Sequence, residues 1–147
     1  MIYITGDTHG DFSRIEKFCD EYSTTQADTM IILGDAGINY NLNERDIELK
    51  EELAQLPITL FCVHGNHEER PYLIDSYEEK IWNEELAYFE EKYPNILFAA
   101  DGEIYDFEGK KSIVIGGAYS VDKHYRLRGN MPWLESDLTL IAGILKN

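Results

Sequence analysis

Three scarcities bound what this 147-residue chain can be. Cysteine occurs twice, as Cys19 and Cys62, once in a helix-like and once in a strand-like segment. Two isolated thiols make no disulfide framework, so they read as small buried hydrophobes in a protein of the reducing cytoplasm. Lys and Arg total 13 against 28 Asp and Glu, a formal charge of −15. That balance argues against nucleic acid as a partner, because such surfaces need clustered cations. No apolar run approaches the ~18–20 residues that span a bilayer, so no membrane segment is expected. No signal peptide is expected either, since the polar cluster GDTHGD begins at residue 6, where its apolar core would lie. Histidine is sparse as well: His9, His64, His67 and His124 are the full set.

What is present suits one globular domain spanning 1–147, with 44% hydrophobic and 28% charged residues. MIYIT, TMIIL and ITLFCV are continuous apolar runs of the kind found in parallel strands covered on both faces. Between them lie the amphipathic stretches FSRIEKFCDEY and LNERDIELKEELAQL. In the first, Phe12, Ile15, Phe18, Cys19 and Tyr22 share a helical face. Strand, helix, strand, helix, strand is a βαβαβ unit with right-handed crossovers. A third helical block is expected over about 72–92, stopped by Pro94. Beyond it ILFAA, EIYDFEG and KKSIVIGGAY read as antiparallel, hairpin-like strands punctuated by Asp101-Gly102 and Gly109. The C-terminal SDLTLIAGILKN reads as a short helix capped by Ser136 and weakened by Gly143. Most of the acidity, in DEYSTTQAD, NERDIELKEEL and SYEEKIWNEELAYFEEKY, reads as solvated helix faces.

The informative carboxylates are those beside glycines at strand ends. The first three strands end in GDTHGD (6–11), GDAG (34–37) and GNHEE (65–69). In open α/β sheets ligands bind beyond the carboxyl ends of the strands, so Asp7, Asp35 and Asn66 should converge. In an extended backbone Asp7 and His9 point the same way and can grip one cation. Asp35, with two oxygens, can bridge that cation to a second, to which Asn66 offers a neutral oxygen. Taken singly, each Asp is as well explained as a helix cap and Asn66 as a turn residue. Three such endings on three consecutive strands are not explained by capping. Mixed O and N donors suit Mn, Fe, Zn or Ni and do not choose among them. Two such metals would clamp a phosphate ester, with His67 placed to protonate the leaving group.

GDTHGDF, GDAG and GNHE resemble the first three signatures of the calcineurin-like metallophosphoesterases, and GGAYSVDKHYR resembles a further segment of one branch of that family. The resemblance covers residues 1 to about 133. It implies an α/β sandwich of two packed mixed sheets with helices outside, in α/β/β/α layers. It also implies hydrolysis of phosphomonoesters or phosphodiesters by a metal-activated hydroxide. Position by position, it implies Asp7 and His9 on one metal, Asp35 bridging, Asn66 on the second, and His67 as the acid or phosphate-orienting group. Arg126 is expected as a bidentate phosphate contact, the alternative being a surface charge or ion-pair partner. Asp122 and Tyr119 would orient neighbours, and His64 and His124 are expected to be packed or surface histidines.

The family pattern supplies further histidines after a later strand, and no histidine follows position 124 here. Asp7, His9, Asp35 and Asn66 are then four ligands for two cations. The expectations are one weakly held metal, low turnover, and a second sheet lacking its later strands. An incomplete sheet would expose an apolar face or edge and favour a homo-oligomer. The competing reading is a catalytically inactive relative that serves as a binding or interaction module.

Overall fold

Alternation along the apolar runs decides the layers. The computed structural model describes residues 1–117 and the pair Gly143–Ile144. Strands β1 (Ile2–Thr5), β2 (Thr29–Leu33) and β3 (Thr59–Val63) pair in parallel, linked by helices α1 (Ser13–Tyr22) and α2 (Glu44–Leu53). Met30, Ile32, Leu60 and Cys62 face the helices, packing with Phe12, Ile15, Cys19 and Leu53. The intervening residues Ile31, Phe61 and Val63 face the opposite way, onto Tyr105, Phe107 and Val114 of a second layer. Both faces of β3 and of most of β2 are therefore covered, which is why these runs are apolar, whereas Ile4 of β1 and Leu33 at the end of β2 stay exposed. Both cysteines are buried and free.

The segment expected as a third helix is instead a hairpin. After a 3₁₀ turn at Pro71–Leu73 come β4 (Glu78–Trp82) and β5 (Glu85–Phe89), antiparallel to each other. Asn83 and Glu84 make the two-residue turn, both at positive φ (48° and 70°). Period-two packing outcompetes helix propensity here. Trp82 and Phe89 pack toward the second layer, Trp82 stacking on Phe61 at 4.7 Å, while Tyr88 packs on the helix side.

Strand β6 (Ile96–Ala99) is present as expected but forms no hairpin with the strand after it. It runs parallel to β3 and antiparallel to β5, giving the order β1-β2-β3-β6-β5-β4. All four of its residues are buried, as a strand inside a two-faced sheet requires. Asp101-Gly102 consequently carries the chain from this sheet to the second one. There β7 (Ile104–Phe107) and β8 (Lys110–Ile113) form the expected hairpin through Glu108-Gly109. Gly143–Ile144 add a short strand, β9, antiparallel to β8. These two residues are extended, not helical, consistent with the poor helix propensity of Gly143. The rest of that stretch, with Ser136, lies outside the described residues.

The acidic stretches are only partly solvated. Asp46 is buried and accepts the Asn41 and Leu42 N–H groups, folding the loop ahead of α2 onto its first turn. Lys50 is buried too, its ammonium 2.5 Å from Glu90 at the end of β5 and over the Tyr77 ring. These charges sit on the inner side of α2, where the β5 end and the residue 39–42 loop close over them.

Candidate metal centre

Loops leaving the carboxyl ends of β1, β2 and β3 meet and interlock through their backbones. The Asp35 carbonyl accepts the N–H groups of Thr8 and His9, and the Ala36 carbonyl accepts the Gly10 N–H and the Thr8 hydroxyl. From α1, the Arg14 guanidinium donates to the carbonyls of Gly6 and Asp7, at 2.8 and 2.7 Å, fixing the end of β1. The third loop joins through Asp35, whose Oδ1 accepts the His67 N–H at 3.1 Å. Gly65 packs so tightly on Asp35 that an added Cβ would lie 1.9 Å from Oδ1. Only glycine allows that approach.

The result is a compact donor set. Asp7, His9 and Asp35 each offer one ligand atom, all within 4.8 Å of one another. His9 Nε2 lies 3.6 Å from Asp7 Oδ2. The route to this convergence differs from the expected extended Asp7-Thr8-His9 segment. His9 and Asp35 both adopt the left-handed region, with φ of 49° and 42°. The two hydrogen bonds to the Asp35 carbonyl turn the backbone at His9 back toward Asp7. Asp7 and His9 are solvent-facing, whereas Asp35 is only 9% exposed. Two oxygens and an imidazole nitrogen gathered at one point, with the two carboxylates in mutual repulsion, fit a divalent transition-metal ion.

Asn66 is half-buried between Gly65 and His67, the two residues whose backbones rest on the Asp35 carboxylate. The His67 ring stands edge-on to His9 with centroids 6.1 Å apart, and 6.3 Å from Tyr40. A cavity of about 510 Å³ opens beside both histidines. Arg126, together with Tyr119, Asp122 and His124, lies outside the described residues.

Two residues of the GNHEER stretch play parts that motif spacing alone does not assign. Glu68 is 1% exposed, and its carboxylate bridges two loops, accepting the Gly37 N–H at 2.6 Å and the Gly65 N–H at 2.9 Å. Burial pushes its carboxyl up to about 7. The N–H bonds from Gly65 and Gly37 oppose that rise, and the nearby Asp35 adds to it. The signal available was its position two residues after Asn66, among glycines whose N–H groups need acceptors. Arg70 is the second. It donates to Asp101 Oδ2 at 2.6 Å beside the buried His64, whose Nε2 is 3.5 Å from the same oxygen. Burial lowers His64 to about 4, with Asp101 opposing and Arg70 reinforcing the shift, so the ring is neutral. His64 is thus a packed histidine outside the Asp7–His9–Asp35 group, walled by Gly116.

A family model described as calcineurin-like phosphoesterase matches residues 1–146. No curated protein and no solved structure matches the chain.

Proposed function

Because the chain belongs to the calcineurin-like phosphoesterase family, we propose that it is a metal-dependent hydrolase of phosphate esters. The observation that carries this reading is the convergence of Asp7, His9 and Asp35 within 4.8 Å at the carboxyl ends of two adjacent parallel strands. Asp7, His9 and Asp35 would hold a divalent metal (Mn, Fe, Zn or Ni), and Asn66 would offer its amide oxygen to a second one beside Asp35. Bound there, the metal supplies Lewis-acid polarisation of the phosphoryl group and a water of lowered pKa. Asp35 is held for this by the Thr8, His9 and His67 N–H groups and by the close approach of Gly65. His67, beside His9 at the mouth of the cavity, donates a proton to the departing alkoxide oxygen. Arg126 binds the phosphate.

Residues 1–147 act as one domain. The substrate is a phosphate ester, not a nucleic acid, given the charge of −15. Among the described residues no helix is long and apolar enough to cross a membrane. Copies of the chain self-associate through the face of the first sheet that bears Ile4 and Leu33, which are 65% and 46% exposed. These residues lie on the side of the sheet shared with Ile31, facing the second layer.

Elemental analysis together with hydrolysis of bis-p-nitrophenyl phosphate under added Mn tests the assignment. Saturable turnover that disappears in Asp35→Asn is expected. A folded protein with no turnover under any of the four metals refutes the hydrolase and leaves a binding module.

A further inference from the structure

The cavity beside His9 and His67 is walled on its far side by the loop ahead of α2 and by the first turns of that helix, including Tyr40, Arg45 and Leu49. Arg45 breaks a local rule. It stands in the first helical turn, where the helix dipole disfavours a cation and where Glu44 and Asp46 are the favoured kind of neighbour. Asp46 does not neutralise it, since both its oxygens are taken by Asn41 and Leu42. The other two arginines among the described residues are committed, Arg14 to the Gly6 and Asp7 carbonyls and Arg70 to Asp101. Arg45 is exposed and forms no ion pair among the described residues. In a chain of charge −15, an uncommitted guanidinium at the edge of a cavity is a place for an anion. Tyr40 brings an aromatic ring to the same cavity, and Leu49 adds an apolar side chain to its lining.

We infer that this cavity receives the leaving group of the substrate, and that Tyr40 and Arg45 select leaving groups carrying an aromatic ring beside a second anionic group. The inference rests on the hydrolase reading for the term leaving group, but the pocket chemistry is independent of metal. Tyr40 offers a ring face or edge to the aromatic part, and Arg45 pairs with the anion. The phosphate to be cleaved stays on the Asp7–His9–Asp35 side of His67.

The test is an NMR titration of the protein in EDTA with three probes: phenyl phosphate, which has ring and anion, propyl phosphate, which has only the anion, and phenol, which has only the ring. Without metal, the Asp7 and Asp35 carboxylates repel a phosphate, so the anion is directed to Arg45. Phenyl phosphate is expected to bind at least about fivefold more tightly than either fragment, shifting amides between residues 37 and 49. Arg45→Gln should bring it down to the level of phenol, and Tyr40→Leu to the level of propyl phosphate. Arg45 is solvent-facing, so its replacement leaves the fold intact and decides the matter even if Tyr40→Leu unfolds. Equal affinity for the three probes, no binding of phenyl phosphate, or an unchanged Arg45→Gln affinity overturns the inference. Because no metal takes part, failure of the hydrolase assay and failure of this titration are separate results.

Discussion

Replacing Asp35 by Asn should have opposite consequences with and without metal, and the structure sets the size of each. In EDTA the substitution removes one of two carboxylates whose oxygens lie within 4.8 Å. At that distance like charges repel by about 0.9 kcal/mol in a water-like dielectric, which is appropriate because the Asp7 side chain is 56% exposed. Against this gain stands the weakening of one charge-assisted bond, from the His67 N–H to Oδ1, to a neutral one. That costs about 1 kcal/mol. The two nearly cancel, so the metal-free variant should match the parent within about 1 kcal/mol. With Mn a hundredfold above its dissociation constant, the parent gains about 2.7 kcal/mol, or roughly 5–10 °C in Tm for a domain of this size. Asp35→Asn should lose most of that gain. Thermal unfolding followed by circular dichroism, in EDTA and in excess MnCl₂, reads all four values. A full Mn-induced shift in the variant, or a metal-free loss beyond about 2 kcal/mol, refutes the assignment of Asp35 as a metal ligand whose charge the metal-free fold does not need.

Other contacts give three further expected outcomes. Gly65→Ala forces a Cβ to within 1.9 Å of Asp35 Oδ1 and 2.3 Å of its backbone nitrogen. It should cost about 1–3 kcal/mol in urea unfolding and abolish the Mn-induced shift. Lys50→Met strands the largely enclosed Glu90 carboxylate and should cost about 3 kcal/mol, most of it recovered when Glu90→Leu is added, as a double-mutant cycle would show. Tyr105 bonds to the Leu86 carbonyl and the Ala100 N–H, and burial pushes its phenol up to about 12. A folded-state pKa above the ordinary value of 10 means stability that is whole below pH 10 and lost as pH rises to 12. Tyr105→Phe should remove that loss while costing about 1–3 kcal/mol at neutral pH, measured by unfolding at pH 8, 10 and 11.5.

The strand-end pattern is legible in the sequence because it is local. Gly-Asp or Gly-Asn after an apolar run places a polar group at a sheet's carboxyl edge whatever the rest of the fold does. The 72–92 segment misleads because its charges and aromatics are compatible with either period. What decides it is the packing of Trp82 and Phe89 against a second layer that sequence alone does not place. Asn83 before Glu84 is the turn signal that the helical reading passes over. Glu68 hides its role because the N–H groups it accepts, from Gly37 and Gly65, come from two different loops. Charge alone assigns Asp46 and Lys50 to solvent, although each acquires a specific partner only when the folded chain brings it close. Contacts across loops, more than element type, are what the linear pattern conceals.

His9 and Asp35 sit at φ of 49° and 42°, a conformation that costs a non-glycine residue about 1 kcal/mol or more. Glycine at either position would relax the backbone and delete a donor of the proposed metal site. A library of this chain sorted only for heat resistance should therefore enrich glycine at positions 9 and 35, and a library sorted for metal retention should purge it. The two sorts would diverge first at these positions, marking where the sequence carries function at the expense of its own stability.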